Sequence, residues 1–465
     1  MKTKQIIAVI TILSIWLFTS ISRAADITAT GSGNWSSTVP DAPWPGGIVP
    51  NITNDDVDVE APFVITNDNY AQIQYIYGSG TVVMAPGSTL NVVGDPLGAQ
   101  GTFQLATLDT SAPSNTVIYS GNSFWAKHQN YYNLVFDNAT TNPYDFFNGL
   151  VNSQDPAFAM TIAGDMTVNG KVKVQEGADF TINGNLILGT NGTWDCSSFN
   201  LTVTSNLTVG GLMLDLDGAN GYNYFGGNVI VTSSSIGWNI SDVIYWAIGG
   251  SLTNNGTIVG KGFGSITFTG TGSITGSKPL KIPTMTINGI YNIGTTITLI
   301  TNTPTLIGTL VFDIAHTNQI ILLTNAGTPL FYSGVLDVIN TGPTPVSGHS
   351  YQLFNSPGGY AGTFDSTSYP SLPAGLSWVD NLATSGSIAV TGAVLGYPTL
   401  ALSRNGSVLT LSWDSTTFPG YQVLALTNHS VNGTPWSSTG SGTVSPFVTT
   451  LNPANPPVFF RLSNP

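Results

Sequence analysis

The chain has 465 residues, 41% of them apolar and only 8% charged, and its formal net charge is -13. An acidic excess of this size argues against nucleic-acid binding, which needs a basic stripe, and against attraction to anionic lipid surfaces. Cys196 is the only cysteine, so no internal disulfide forms. Low charge signals disorder only when apolar content is low too. Here Val, Ile, Leu, Thr and aromatics abound with Gly and Asn, the composition of short strands joined by turns.

Lys2 and Lys4 precede an apolar run from Ile6 to Phe18, and Ser22-Arg23-Ala24 puts small residues where a signal peptidase reads. Residues 1–24 therefore read as a signal peptide cleaved after Ala24, and the mature chain as secreted, extracellular or cell-surface. The run is short for a membrane span of about 20 residues. No later segment matches it, so no transmembrane segment is expected after signal removal. Loss of Lys2, Lys4 and Arg23 leaves 8 of the 11 basic residues against 24 acidic ones.

Residues 25–340 read as a β-solenoid. An atypical start rich in Trp and Pro, Gly33-Asn-Trp35 and Pro43-Trp-Pro-Gly-Gly47, suits a cap over an open core and strand edge. Asp55, Asp56, Asp58 and Glu60 follow. They read as a solvated capping edge, because no Asp-x-Asp-x-Asp-Gly loop accompanies them for calcium. Residues 96–160 are irregular and aromatic, with Tyr131 and Tyr132 among them, and read as an insertion on the side of the solenoid.

The repeat then becomes explicit. Gly164-Asp-Met-Thr-Val, Gly184-Asn-Leu-Ile-Leu, Ser205-Asn-Leu-Thr-Val, Gly227-Asn-Val-Ile-Val and Gly250-Ser-Leu-Thr-Asn recur at spacings of 20, 21, 22 and 23 residues. Each is a small turn residue before a short alternating strand. Such a period suits one coil of a parallel β-helix, in which stacked coils bury the apolar face that one coil cannot. A row of antiparallel sandwiches is the competing fold.

Residues 341–396 alternate like antiparallel strands and read as a segment that closes the solenoid. Residues 397–465 read as a C-terminal immunoglobulin- or fibronectin-like module. The fold expected is all-β: a parallel β-helix followed by a small antiparallel β-sandwich module.

Three stretches resemble large secreted bacterial surface proteins with autotransporter-associated β-strand repeats. They are Gly33-Asn-Trp35 through Asp55-Asp-Val57, then Gly308-Thr-Leu-Val-Phe-Asp313 through Leu372-Pro-Ala-Gly-Leu-Ser-Trp378, and last Leu409-Thr-Leu-Ser-Trp413 with Val458-Phe-Phe-Arg-Leu462. The resemblance covers roughly half the chain. It implies a parallel β-helix at or outside the cell surface and carries no catalytic residues. One departure stands out: the tail is shorter than a membrane barrel of at least about 8 strands requires.

A solenoid groove also hosts polysaccharide lyases and hydrolases. A lyase needs a proton-abstracting base, yet no Lys or Arg lies between Lys173 and Lys261, and no His between His128 and His316. A hydrolase needs two carboxylates set apart. The best cluster is Asp215 and Asp217, two apart on one strand, with Asp195 about one coil earlier; the favoured reading is a solvated strand face whose leucines point inward. Tyr222, Tyr224, Trp238, Tyr245 and Trp246 form a candidate sugar-stacking set, or else stack merely to stabilise the coils.

The function expected is a non-catalytic structural or adhesive surface protein. A carbohydrate-binding protein is the alternative, and a polysaccharide-degrading enzyme is third. No cofactor or metal is expected. The expected partners are glycans or other cell-surface and matrix polymers.

Overall fold

The computed structural model describes residues 25–465 apart from 52, 95–102, 121–124, 128, 138–147, 151–158, 175–178, 196–199, 215–220, 241–244, 261–263, 295–296, 316–319, 324–326, 393–396, 417, 427–435, 441–442, 453 and 465. The fold is all-β: parallel solenoid coils, with small antiparallel sheets towards the C-terminus. Contacts cluster into two compact units, Met1–Ala219 and Asn220–Pro465.

In the first unit, seven short strands stack in parallel, from Tyr70–Ile73 through Thr89–Val92, Thr116–Tyr119, Asn133–Phe136, Met166–Val168 and Leu186–Leu188 to Leu207–Val209. Their register creates two inward columns. One runs Ala71, Leu90, Val117, Leu134, Met166, Leu186, Leu207 and the other Ile73, Val92, Tyr119, Phe136, Val168, Leu188, Val209. Every one of these side chains is buried. Each larger one contributes about 1.5–3 kcal/mol through removal from water, and the in-register pairing leaves no coil dependent on its own apolar face.

Two further ladders complete these coils: Met160–Ile162, Phe180–Ile182 and Leu201–Val203, and Lys171–Val174, Thr193–Asp195 and Leu212–Leu214. The strands Thr116–Tyr119 and Asn133–Phe136 fall inside 96–160, where an insertion was expected, yet both occupy rungs of the main ladder. Residues 138–147 and 151–158 of that stretch lie outside the described residues.

The Trp-rich start caps the coils. Trp35 and Trp44 are both fully buried, with ring centroids 5.1 Å apart. Trp35 Nε1 donates to the Pro50 carbonyl at 2.8 Å, and Trp44 Nε1 to the Trp35 carbonyl at 2.8 Å. Both indoles thus bury their large rings and still satisfy their single donors. Gly47, at φ +73, carries the turn that follows Trp44; a Cβ there would lie 2.3 Å from the Thr38 carbonyl oxygen.

The second unit repeats the parallel plan. One ladder runs from Val229–Val231 through Leu252–Asn254, Thr271–Thr275, Ile290–Ile293 and Thr309–Asp313 to Val335–Ile339. Another runs from Tyr222–Phe225 through Tyr245–Ile248, Ser265–Phe268 and Leu280–Ile287 to Thr298–Leu306. An aromatic plug ends these coils: Tyr332 meets Phe364, Phe354 and Tyr360 at 4.8, 5.2 and 5.8 Å. Over it lies an antiparallel sheet of Ser350–Gln352, Ser387–Gly392 and Leu376–Asn381. The C-terminal strands form two three-stranded antiparallel sheets. Leu409, Leu411, Trp413 and Val423 are buried between them. Among the described residues no helix is long and apolar enough to cross a membrane.

Candidate functional site

The second position of each repeat, Asp, Asn or Ser, has a definite task. Asp165 Oδ1 accepts the backbone N–H of Asn185 at 2.7 Å and its side-chain amide at 3.0 Å. Asn185 Oδ1 in turn accepts the backbone N–H of Asn206 at 3.2 Å and its amide at 3.0 Å. One coil earlier, Asn133 Oδ1 accepts the N–H of Asp165 at 2.9 Å. In the second unit Asn228 Oδ1 accepts from the Ser251 N–H at 2.8 Å, and Ser251 Oγ from the Ser273 N–H at 3.0 Å. The turn polar residues therefore form columns in which each side chain satisfies the backbone of the next coil. The preceding glycine follows from this packing: a Cβ on Gly184 would lie 2.4 Å from both Asp165 Oδ1 and the Gly164 carbonyl oxygen.

The carboxylates separate. Asp195 is fully buried on a strand whose three residues, Thr193–Asp195, are all enclosed. Its neighbour Trp194 packs on Phe180 with centroids 5.6 Å apart. Asp195 is therefore shielded from solvent rather than part of a solvated strand face. Asp215 and Asp217 lie outside the described residues, as does Cys196. At the N-terminal edge the register sets Asp26 beside Asp56, and Thr28 beside Asp58. Burial, together with the nearby charges of Glu60 and Asp26, pushes the Asp58 carboxyl up. Tyr77 donates to Asp26, and Ser79 to Glu60. Among the described residues no three His, Cys, Asp or Glu side chains converge as metal ligands.

The five aromatic candidates divide by strand face. Trp238 and Trp246 are buried, 5.1 Å apart, and Phe225 lies 6.1 Å from the first and 5.6 Å from the second. They are core residues and present no face to a ligand, a correction to the five-member set. Tyr222 and Tyr245 are 49% and 56% exposed and sit directly opposite each other on adjacent strands. Tyr224 is half-buried, its hydroxyl near the Gly249 backbone. Tyr131, named earlier, is buried and shares a 2.9 Å hydrogen bond with Tyr119, whose hydroxyl burial pushes up to about 12. Tyr132 is half-buried.

Register also reveals residues that the sequence reading did not single out. From Tyr222 and Tyr245 the same column continues through Ser265, Thr284 and Thr303. Two residues along each strand, a second column continues from Tyr224 through Ala247, Thr267, Thr286 and Thr305. Ser265 and Ala247 are covered, Thr267, Thr284 and Thr286 are half-exposed, and Thr303 and Thr305 are exposed. A signal was present: Ser265-Ile-Thr, Thr284-Met-Thr and Thr303-Pro-Thr recur every 19 residues.

Comparison with family models, with curated proteins and with solved structures finds no match.

Proposed function

We propose that this is an exported, non-catalytic β-solenoid that works as a structural or adhesive element at or outside the cell surface. One observation carries the reading. The polar side chains repeated along the coils, Asp165, Asn185 and Asn206 in the first unit, are engaged in holding one coil to the next. Their chemistry builds the scaffold. The signal-peptide pattern of residues 1–24 and the resemblance to secreted surface proteins with β-strand repeats support export.

A carbohydrate-binding role is the second reading. The exposed pair Tyr222 and Tyr245 favours it, because two exposed phenol rings on neighbouring strands of a sheet surface suit a sugar face.

The test is direct. The purified mature chain is incubated with a panel of polysaccharides and assayed for newly released reducing ends. No release is expected. Release by the wild type that disappears in Asp195→Asn or Asp215→Asn overturns the non-catalytic reading and favours a hydrolase.

A further inference from the structure

The two columns that begin at Tyr222 and Tyr224 point to a ligand. We infer that this outward face of the second unit binds an extended, unbranched, neutral polysaccharide lying along the coil axis, with Tyr222 and Tyr245 stacking on sugar rings and Thr284, Thr286, Thr303 and Thr305 meeting its hydroxyls. The inference rests on the carbohydrate-binding reading above and gives it a site, a direction and a ligand class.

Three observations lead there. First, the ladder is in register over five strands. Parallel strands lie about 4.8 Å apart, so the columns place their residues at a constant interval over about 19 Å, with Ser265 and Ala247 covered and the others accessible. That interval is close to the length of one pyranose unit in an extended chain, so successive sugars meet successive rungs. Second, the groups are those that sugar recognition uses. Two exposed phenol rings sit at one end of the face, and pairs of threonines, each a hydroxyl beside a methyl, sit at the other. Third, none of the ten residues of the two columns carries a charge, in a chain with 24 acidic residues, although Lys281 is exposed elsewhere on the strand Leu280–Ile287. The columns themselves offer no cation to an anionic polymer, and the acidic chain as a whole repels one.

The experiment is calorimetric titration of the mature chain with cello-, xylo- and manno-oligosaccharides of rising length, with polygalacturonate as the anionic control. Affinity for at least one neutral series should rise with length and level off at about five units, one per rung. Tyr222→Ala and Tyr245→Ala should each weaken binding roughly tenfold, and Tyr245→Phe should keep it. Thr286→Val with Thr305→Val should weaken binding while leaving shape unchanged. Circular dichroism and the melting temperature show that each variant is folded. Wild-type affinity in the folded Tyr variants overturns the inference. Preference for polygalacturonate overturns it, and so does arrest of ice growth by the threonine face without any glycan binding. If reducing ends appear while the Tyr variants still lose affinity, the binding face stands and the non-catalytic reading falls. If neither occurs, the face alone falls.

Discussion

Asn185 meets a single oxygen of Asp165 twice, through its backbone N–H at 2.7 Å and its side-chain amide at 3.0 Å. The same relation recurs one coil on, between Asn206 and Asn185. Each link closes a turn donor that the strand ladder does not reach, so a β-strand repeat acquires a second, side-chain ladder along its edge.

Removing a middle link tests that ladder. Asn185→Ala deletes the acceptor for Asn206 and one donor to Asp165 together. A loss of about 1–2 kcal/mol is expected from chemical unfolding, since the turn is exposed and water replaces part of what is lost. Asn185→Asp keeps the acceptor but sets a carboxylate against Asp165, so it should also destabilise, and less so at low pH.

Gly184→Ala isolates the packing requirement. The new Cβ would approach the Asp165 carboxylate and the Gly164 carbonyl at 2.4 Å, and a cost of about 1–3 kcal/mol is expected. The next repeat carries Ser205 at this position, with its hydroxyl 3.3 Å from the Asn183 carbonyl. Ser205→Gly should therefore change stability by well under the Gly184→Ala effect in the same assay.

Trp35 and Trp44 hold the N-terminal cap, and Trp35→Ala should cost about 3–5 kcal/mol. Each coil rests chiefly on its neighbours, so the damage should be local. Amide hydrogen exchange should show faster opening in Asp55–Asp58 and Val64–Asn67, with little change in Leu207–Val209.

Asp58 gives a pH signature. Its folded-state pKa lies above the ordinary 3.8 through burial and the Glu60 and Asp26 charges. The ionised form is therefore destabilising above the folded value, and stability rises as pH falls from there towards 3.8. Asp58→Asn removes the repulsion at every pH. It should raise Tm at pH 7 by about 1 °C, a small effect because the group is only partly buried, and the gain should vanish at pH 3.5 or so.

Tyr245 and Trp246 are neighbours in sequence that point to opposite sides of one strand. Trp246→Ala should cost about 3–5 kcal/mol of folding stability. Tyr245→Ala should cost less than about 1 kcal/mol. Thermal melts of the two variants separate a core residue from a surface one.

The chain itself announced a great deal. The spacing of Gly164-Asp, Gly184-Asn and Ser205-Asn revealed coils, because a stacked repeat must return to the same turn at a near-constant interval. The Trp and Pro cluster at 33–47 marked a cap, because a terminal coil has an open core to cover. The sides taken by Trp238, Trp246 and Asp195 were not legible. Strands of three or four residues broken by turns restart their alternation at every corner, so a two-residue period says little about which face is inward. Only tertiary register placed Tyr222 opposite Tyr245 and carried that column through Thr284 to Thr303, because residues about 20 positions apart become neighbours only when coils stack in parallel. The sequence alone thus determined the repeat and the buried apolar content that makes stacking favourable. The stacked structure decided which side chains bind the coils together and which remain outside, since hydrogen-bond pairing between coils, rather than local preference, sets the register.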